Sequence, residues 1–228
     1  MFNWLEKNPF FFTVAFLLVF SIAGLVELIP NFSKSSRPIE GLQPYTPLQI
    51  AGKQVYIKES CNACHSQLIR PFKSETDRYG MYSLSGEYAY DRPFLWGSKR
   101  TGPDLHRVGD YRTTDWHENH MLDPTSVVPG SIMPAYVHLF DNNSDLDTAY
   151  AEAVTVKEVF GVPYNAEGKT KLAGSIEDAR ADMLKEASAI VADMKDPKVK
   201  AALDNGEVKE IVALIAYLNS LGQERRPQ

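Results

Sequence analysis

The only two cysteines of the chain, Cys61 and Cys64, sit two residues apart in "ESCNACHSQ", residues 59–67, with His65 directly behind them. No other local pattern limits the fold as tightly, because each chemistry open to such a pair demands different surroundings. A disulfide across so short a loop is strained. A structural zinc ion needs four ligands; there is no further cysteine, and His106, His117, His120 and His138 show no paired spacing that would complete a site with 61 and 64. A thioredoxin-like redox pair follows a strand within a βαβ pattern, whereas "IAGKQVYIKES", which leads into Cys61, reads as helix. Covalent haem attachment needs the triplet alone. Each thiol adds to one vinyl group of the haem, and the adjacent imidazole of His65 is delivered to the iron as the proximal ligand.

A low-spin haem that carries electrons needs a sixth ligand, and Met81, Met121, Met133 and the other histidines are the candidates. Met133 fits best. It lies in "VPGSIMPAY", bracketed by Pro129, Gly130 and Pro134, 68 residues beyond His65 and ahead of the last helix. A second expectation concerns "RTGPDLHRVG", residues 100–109, where the Gly102-Pro103 turn can aim a backbone carbonyl at the free nitrogen of His65 and fix its tautomer. Pro103 is thereby assigned to the haem pocket. His117 and His120, three residues apart in "DWHENH", are read as satisfied surface or propionate-side histidines rather than as metal ligands.

Ahead of this lies "FFFTVAFLLVFSIAGLVELI", Phe10 to Ile29, twenty residues with Glu27 as the single charge. As a helix at ~1.5 Å per residue it spans ~30 Å, the hydrocarbon thickness of a bilayer. A cleavable signal peptide is the rival, with Ser21-Ile22-Ala23 as a possible cleavage site. The apolar stretch continues through Leu25, Val26, Leu28 and Ile29, which favours a retained anchor over residues 1–30. Lys7 on one side faces Lys34 and Arg37 on the other, so flanking charge leaves the orientation open.

Residues 31–45, rich in Ser, Pro and Gly, read as a linker, and the folded domain is expected from Thr46 to the end of the chain. "TPLQ", Thr46 to Gln49, is a capping box with proline at the first helical position. Gly52 and Tyr56 share a face of that helix and offer close approach to a partner. The partner expected is the last helix, "EVKEIVALIAYLNSLG", with Val208, Ile211, Leu214, Ile215, Leu218 and Leu221 at helical spacing and Gly222 as its stop. Between residues 141 and 206 the chain is helical and acidic, with 13 Asp and Glu against 8 Lys and Arg. There a helix capped by Ser175 carries Ile176, Ala179, Met183, Ala187, Ile190 and Met194 on one stripe and stops at Pro197. The segment is read as a structural insertion. The overall charge of −5 argues against nucleic acid as a partner.

Together the apolar helix, "ESCNACHSQLIRPFKSETDRYG", "YDRPFLWGSKRTGPDLHRVG" and "SIMPAY" resemble the monohaem cytochrome c subunit, subunit II, of cbb3-type cytochrome c oxidases, the C-type haem-copper oxidases of bacteria. The resemblance covers the anchor and residues 46–140 most closely, and the last helix in pattern. It implies a mainly α fold: one transmembrane helix followed by a class-I-like cytochrome c domain with helical insertions. It also implies one covalent haem c on Cys61 and Cys64, iron ligated by His65 and Met133, passage of electrons from a c-type cytochrome donor to the haem b of the catalytic subunit, and no oxygen-reducing chemistry on this chain; the alternative is a free-standing membrane-tethered cytochrome c carrier. The implied partners are the catalytic haem-copper subunit, the multihaem cytochrome c subunit and a cytochrome c donor. The implied location is the inner membrane, with the N-terminus cytoplasmic and the haem domain periplasmic. No function is carried over to residues 141–206.

Overall fold

The computed structural model describes residues 2–32 and 38–222; residues 33–37 of the expected linker lie outside the described residues. The described chain is mainly helical, with a single antiparallel bridge, Asn143 to Lys209, in place of a sheet. A short helix α1 (Phe2–Glu6) precedes α2 (Pro9–Phe32). Within α2, Pro9–Ile29 is long and apolar enough to cross a membrane, and none of it is buried in the protein. Phe10 is 72% exposed and Ile29 61%. An exposed apolar surface of this size is the kind that a membrane or a partner covers.

The domain is built on α3 (Pro47–Lys58) and α10 (Glu210–Ser220). Thr46 begins α3 as the sequence suggests: its hydroxyl accepts Gln49 N–H while the Gln49 side chain accepts Thr46 N–H, with Pro47 at the first helical position. The two helices cross at Gly52, where an added Cβ would stand 1.9 Å from the Ala213 carbonyl oxygen and 2.8 Å from Tyr217 Cβ. Backbones approach this closely only where a side chain is missing. The apolar spacing of α10 marks one face for the core, and the structure buries the other face as well: every residue from Glu210 to Leu218 is buried, Val212, Ala213, Ala216 and Tyr217 included. The helix is covered on all sides because α3, α5 (Thr114–Leu122), which lies in the chain between the short helices α4 (Lys73–Tyr79) and α6 (Pro124–Val127), and α8 (Ile176–Ala192) pack around it. Gly222, at φ +84, follows its end.

The acidic segment contributes α7 (Leu146–Phe160), α8 and α9 (Pro197–Asp204). Ser175 caps α8 by accepting Asp178 N–H, and Ala179, Met183, Ala187 and Val191 form its buried stripe. Helix α8 ends at Ala192. Pro197 begins α9 instead of stopping α8, because the carboxylate of Asp196 caps a new helix, accepting Lys198 and Val199 N–H. Helices α7 and α8 both pack on α3, so the insertion forms part of the core. The stretch read as a linker is also more ordered than its composition suggests: Leu42 is 3% exposed and Pro44 is buried.

Candidate functional site

The Cys-x-x-Cys-His sequence forms one tight turn thrown off the end of α3. Ser60 reverses the chain with φ 56, Cys61–Ala63 form a single 3-10 turn, and the Cys61 carbonyl accepts N–H bonds from both Cys64 (3.1 Å) and His65 (2.9 Å). Both cysteines are free, one half-buried and one exposed. Burial, with help from nearby Glu59, pushes the Cys61 thiol up to about 12, so at neutral pH it is a thiol.

A second segment, residues 96–106, is laid against this turn and fixes His65. Gly102 N–H donates to the Cys64 carbonyl (3.0 Å), Leu105 N–H to that of Ser66 (2.8 Å), and Gln67 N–H to that of Trp96 (2.8 Å). The Pro103 carbonyl lies 2.8 Å from His65 Nδ1. A carbonyl can only accept, so Nδ1 carries the proton and Nε2 keeps its lone pair. The imidazole lies directly against Gly102, where an added Cβ would come within 2.2 Å of His65 Cε1. Burial lowers the proton affinity of the ring, and the Pro103 carbonyl opposes that.

Beneath the turn runs a buried polar network that sequence reasoning missed. Asp104, 1% exposed, accepts at one oxygen from the Ser66 hydroxyl (2.6 Å) and Leu68 N–H (2.8 Å), and at the other from His106 N–H (2.9 Å). Arg100 donates to Ser66 Oγ, the Leu68 carbonyl and Glu75, each at 2.7 Å. Glu75 also accepts Arg70 N–H (2.8 Å) and pairs with the Arg70 guanidinium. The Gly-Pro-Asp-Leu stretch was the available signal. Its proline carbonyl faces His65 while its aspartate, one residue on, ties the two segments together.

Met133 is half-buried against the core, in a loop held by a bond from its own N–H to Ser131 Oγ (3.2 Å) and from Tyr136 N–H to the Met121 carbonyl (2.8 Å). Met121 is 7% exposed and belongs to the core, whereas Met81 is exposed. His117 is not a satisfied surface residue. It is 2% exposed, neither ring nitrogen has a hydrogen-bond partner among the described residues, and burial drives it down to about 4, so it is neutral. Helix burial against the core accounts for this: His117 and Met121 fall one turn apart on the inner face of α5. His120 stacks on Trp116 at 4.5 Å. Among the described residues no cluster of three or more His, Cys, Asp or Glu side chains is arranged to hold a metal ion.

These residues fit a covalently attached haem. Two free thiols share one turn with an imidazole whose Nδ1 is occupied and whose Nε2 is available, lying in a cradle that only glycine leaves open, while a thioether stands in a separate loop. The Cys-x-x-Cys-His turn on a mainly helical domain is the arrangement that covalent haem attachment requires. The family model described as "Cytochrome C oxidase, mono-heme subunit/FixO" matches residues 2–224. The chain belongs to that family. No curated protein matches it.

Proposed function

We propose that the chain is the electron-transfer subunit of a bacterial cbb3-type cytochrome c oxidase, carrying one covalent haem c. The observation that carries this reading is the His65–Pro103 bond on the Cys61–Cys64 turn, in a chain of this family. When bound, haem supplies a one-electron ferric–ferrous couple. Cys61 and Cys64 would hold it through two thioether bonds. His65 would ligate the iron through Nε2, with Pro103 and Gly102 keeping the ring in that tautomer and orientation. Met133 would supply the second protein ligand, which would raise the potential relative to two histidines. The chain takes electrons from a c-type cytochrome donor or the multihaem subunit and delivers them to the catalytic haem-copper subunit, where oxygen is reduced. Helix α2 anchors the domain in the inner membrane, N-terminus in the cytoplasm and haem domain in the periplasm, where c-type haem is attached.

The test is purification of the native complex in detergent. Haem that stays with this chain on a denaturing gel, at one per chain, and copper in the co-purifying catalytic subunit are the expected results. Haem removed by acid-acetone, or a chain that purifies alone, overturns the proposal.

A further inference from the structure

Helix α1 (Phe2–Glu6) is parted from the long apolar helix α2 (Pro9–Phe32) at Lys7 and Asn8. The cause is Pro9, which has no N–H to give and disfavours a helical residue before it. Asn8 repairs the break from both sides. Its side-chain amide donates to the Trp4 carbonyl (2.7 Å) and its backbone N–H to the Leu5 carbonyl (3.1 Å), closing α1, while its own carbonyl accepts Phe12 N–H (3.0 Å) and opens α2. In an unbroken helix the Glu6 and Lys7 carbonyls would accept the N–H groups of Phe10 and Phe11. Among the described residues neither carbonyl finds a backbone donor.

Two open carbonyls limit where the break can lie. Hydrocarbon offers no donor, and an unsatisfied backbone group is costly there, so residues 6–8 stand where water or lipid headgroups reach them. The side chains agree: Glu6 and Lys7 are consecutive, charged and exposed. The apolar stretch that follows, Pro9–Ile29, has 21 residues. As a helix it covers ~31 Å at ~1.5 Å per residue, the whole hydrocarbon thickness, which leaves α1 outside that layer.

Helix α1 is nevertheless drawn back towards the apolar stretch. The Trp4 ring packs on that of Phe11, with centroids 5.2 Å apart, and Phe10 meets Phe11 edge-on at 5.4 Å. Phe11 belongs to the first turn of α2, so the indole is held at the level where the hydrocarbon begins. Trp4 is 56% exposed. An indole, with an apolar body and one N–H donor, is enriched at the boundary between lipid tails and headgroups. We propose that Trp4, carried on α1 and packed on Phe11, is an interfacial anchor that seats in the headgroup layer and pins this end of α2 at the bilayer boundary. The partner of α1 is thus the lipid surface itself. This rests on reading α2 as a membrane anchor and on nothing about the haem.

The test uses the full chain reconstituted into phosphatidylcholine vesicles. Trp96 and Trp116 supply a constant background, so the emission of Trp4 is the difference between the parent and Trp4→Phe, which keeps an aromatic ring against Phe11. Vesicles with bromine near the headgroup end of the acyl chains should quench that emission about twofold more than vesicles brominated near the methyl end, as an indole at the boundary requires. Aqueous iodide should quench it weakly. Stronger quenching by the deep bromines puts α1 inside the hydrocarbon, and quenching by iodide with none by either lipid puts it in water; either result overturns the proposal. In Trp4→Ser, amide hydrogen exchange over residues 10–13 should accelerate about threefold, because the end of the helix is no longer pinned. Unchanged exchange overturns the pinning role. If the parent chain does not float with the vesicles, α2 is no anchor and both readings fall; if it floats, quenching and exchange decide on Trp4 alone.

Discussion

The Nδ1 atom of His65 stands 2.8 Å from the carbonyl oxygen of Pro103, and the ring it belongs to lies against Gly102 with no room for a methyl group. A donor bond from the far nitrogen makes an imidazole a stronger base and so favours ferric iron. Gly102→Ala must displace the ring and lengthen that bond. We expect the covalent haem to be retained, because Cys61 and Cys64 are untouched, while the midpoint potential rises and the ligand-sensitive absorption bands shift. Potentiometric titration of variant and parent checks this; identical potentials and spectra would show that the Pro103 carbonyl does not tune the ligand.

Gly52 raises the same steric question at the centre of the fold. A Cβ there would stand 1.9 Å from the Ala213 carbonyl oxygen, which is backbone and cannot swing aside. Gly52→Ala therefore has to part α3 from α10. Overpacking typically costs 1–3 kcal/mol, and with backbone on the receiving side we expect about 3 kcal/mol, read as a lower urea midpoint. A loss below about 0.5 kcal/mol would mean that the crossing can relax at little cost.

What could be read from the sequence were features written in a few consecutive residues. Thr46 and Gln49, Gly52 and Ser175 each declare themselves within one helical turn, because capping and close approach are local chemistry, and the Cys-x-x-Cys-His spacing behind the proposed haem site is equally local. The rest depends on distant partners. Residues 38–45 look like a linker because Pro, Gly and polar residues leave backbone carbonyls open, and nothing nearby says that Tyr164, Lys169 and Thr170 will take them. Asp104 and Arg100 look like surface charges until residues 64–68 are laid against them. Ala213, Ala216 and Tyr217 look like an outer face of α10 until neighbouring helices cover it. His117 shows the limit most clearly, since no pattern in "DWHENH" announces a neutral, unpartnered imidazole in the core.

Lys53 and Asp91 form an ion pair at 3.0 Å with side chains only 4% and 6% exposed. Removing one member of a buried pair strands the other charge, at a cost of about 3–5 kcal/mol, whereas exchanging both for apolar residues of similar volume is often neutral. Asp91→Ala should therefore destabilise the domain by about that amount, and Lys53→Met combined with Asp91→Leu by much less. Chemical denaturation of the single and double variants measures the difference. Equal losses in the two would show that the pair matters through packing alone.

Glu75 gives the protein an acid-sensitive contact. Its hydrogen bond from Arg100, reinforced by Arg70, holds the carboxyl down at about 2 against an ordinary value of 4.5. A carboxyl depressed on folding stabilises the native state fully above its unfolded value, and the contribution is lost as pH falls through the folded value. Glu75→Gln should thus cost about 2 kcal/mol at neutral pH, the scale of a charge-assisted hydrogen bond. The gap between parent and variant should shrink as pH drops from about 4.5 towards 2. Urea unfolding of both proteins over that range tests it, and a gap independent of pH would assign the effect to shape.

The two methionines that compete for the sixth position differ in burial, and that separates their effects. Met121 is 7% exposed within the core cluster, while Met133 is half-buried in a loop between Pro129 and Pro134. Truncating a buried methionine leaves a cavity and costs about 2–5 kcal/mol. Met121→Ala should therefore lower stability by that amount while leaving the ferrous and ferric spectra intact. Met133→Ala removes little packing, so stability should fall by about 1 kcal/mol or less. Its mark should appear on the iron: a lower midpoint potential, and a ferrous site that now binds carbon monoxide. Haem content should match the parent in both variants, because neither substitution touches Cys61 or Cys64. Spectra and potential that change in Met121→Ala and not in Met133→Ala would move the ligand to α5 and leave the Pro-bracketed loop a role in packing only.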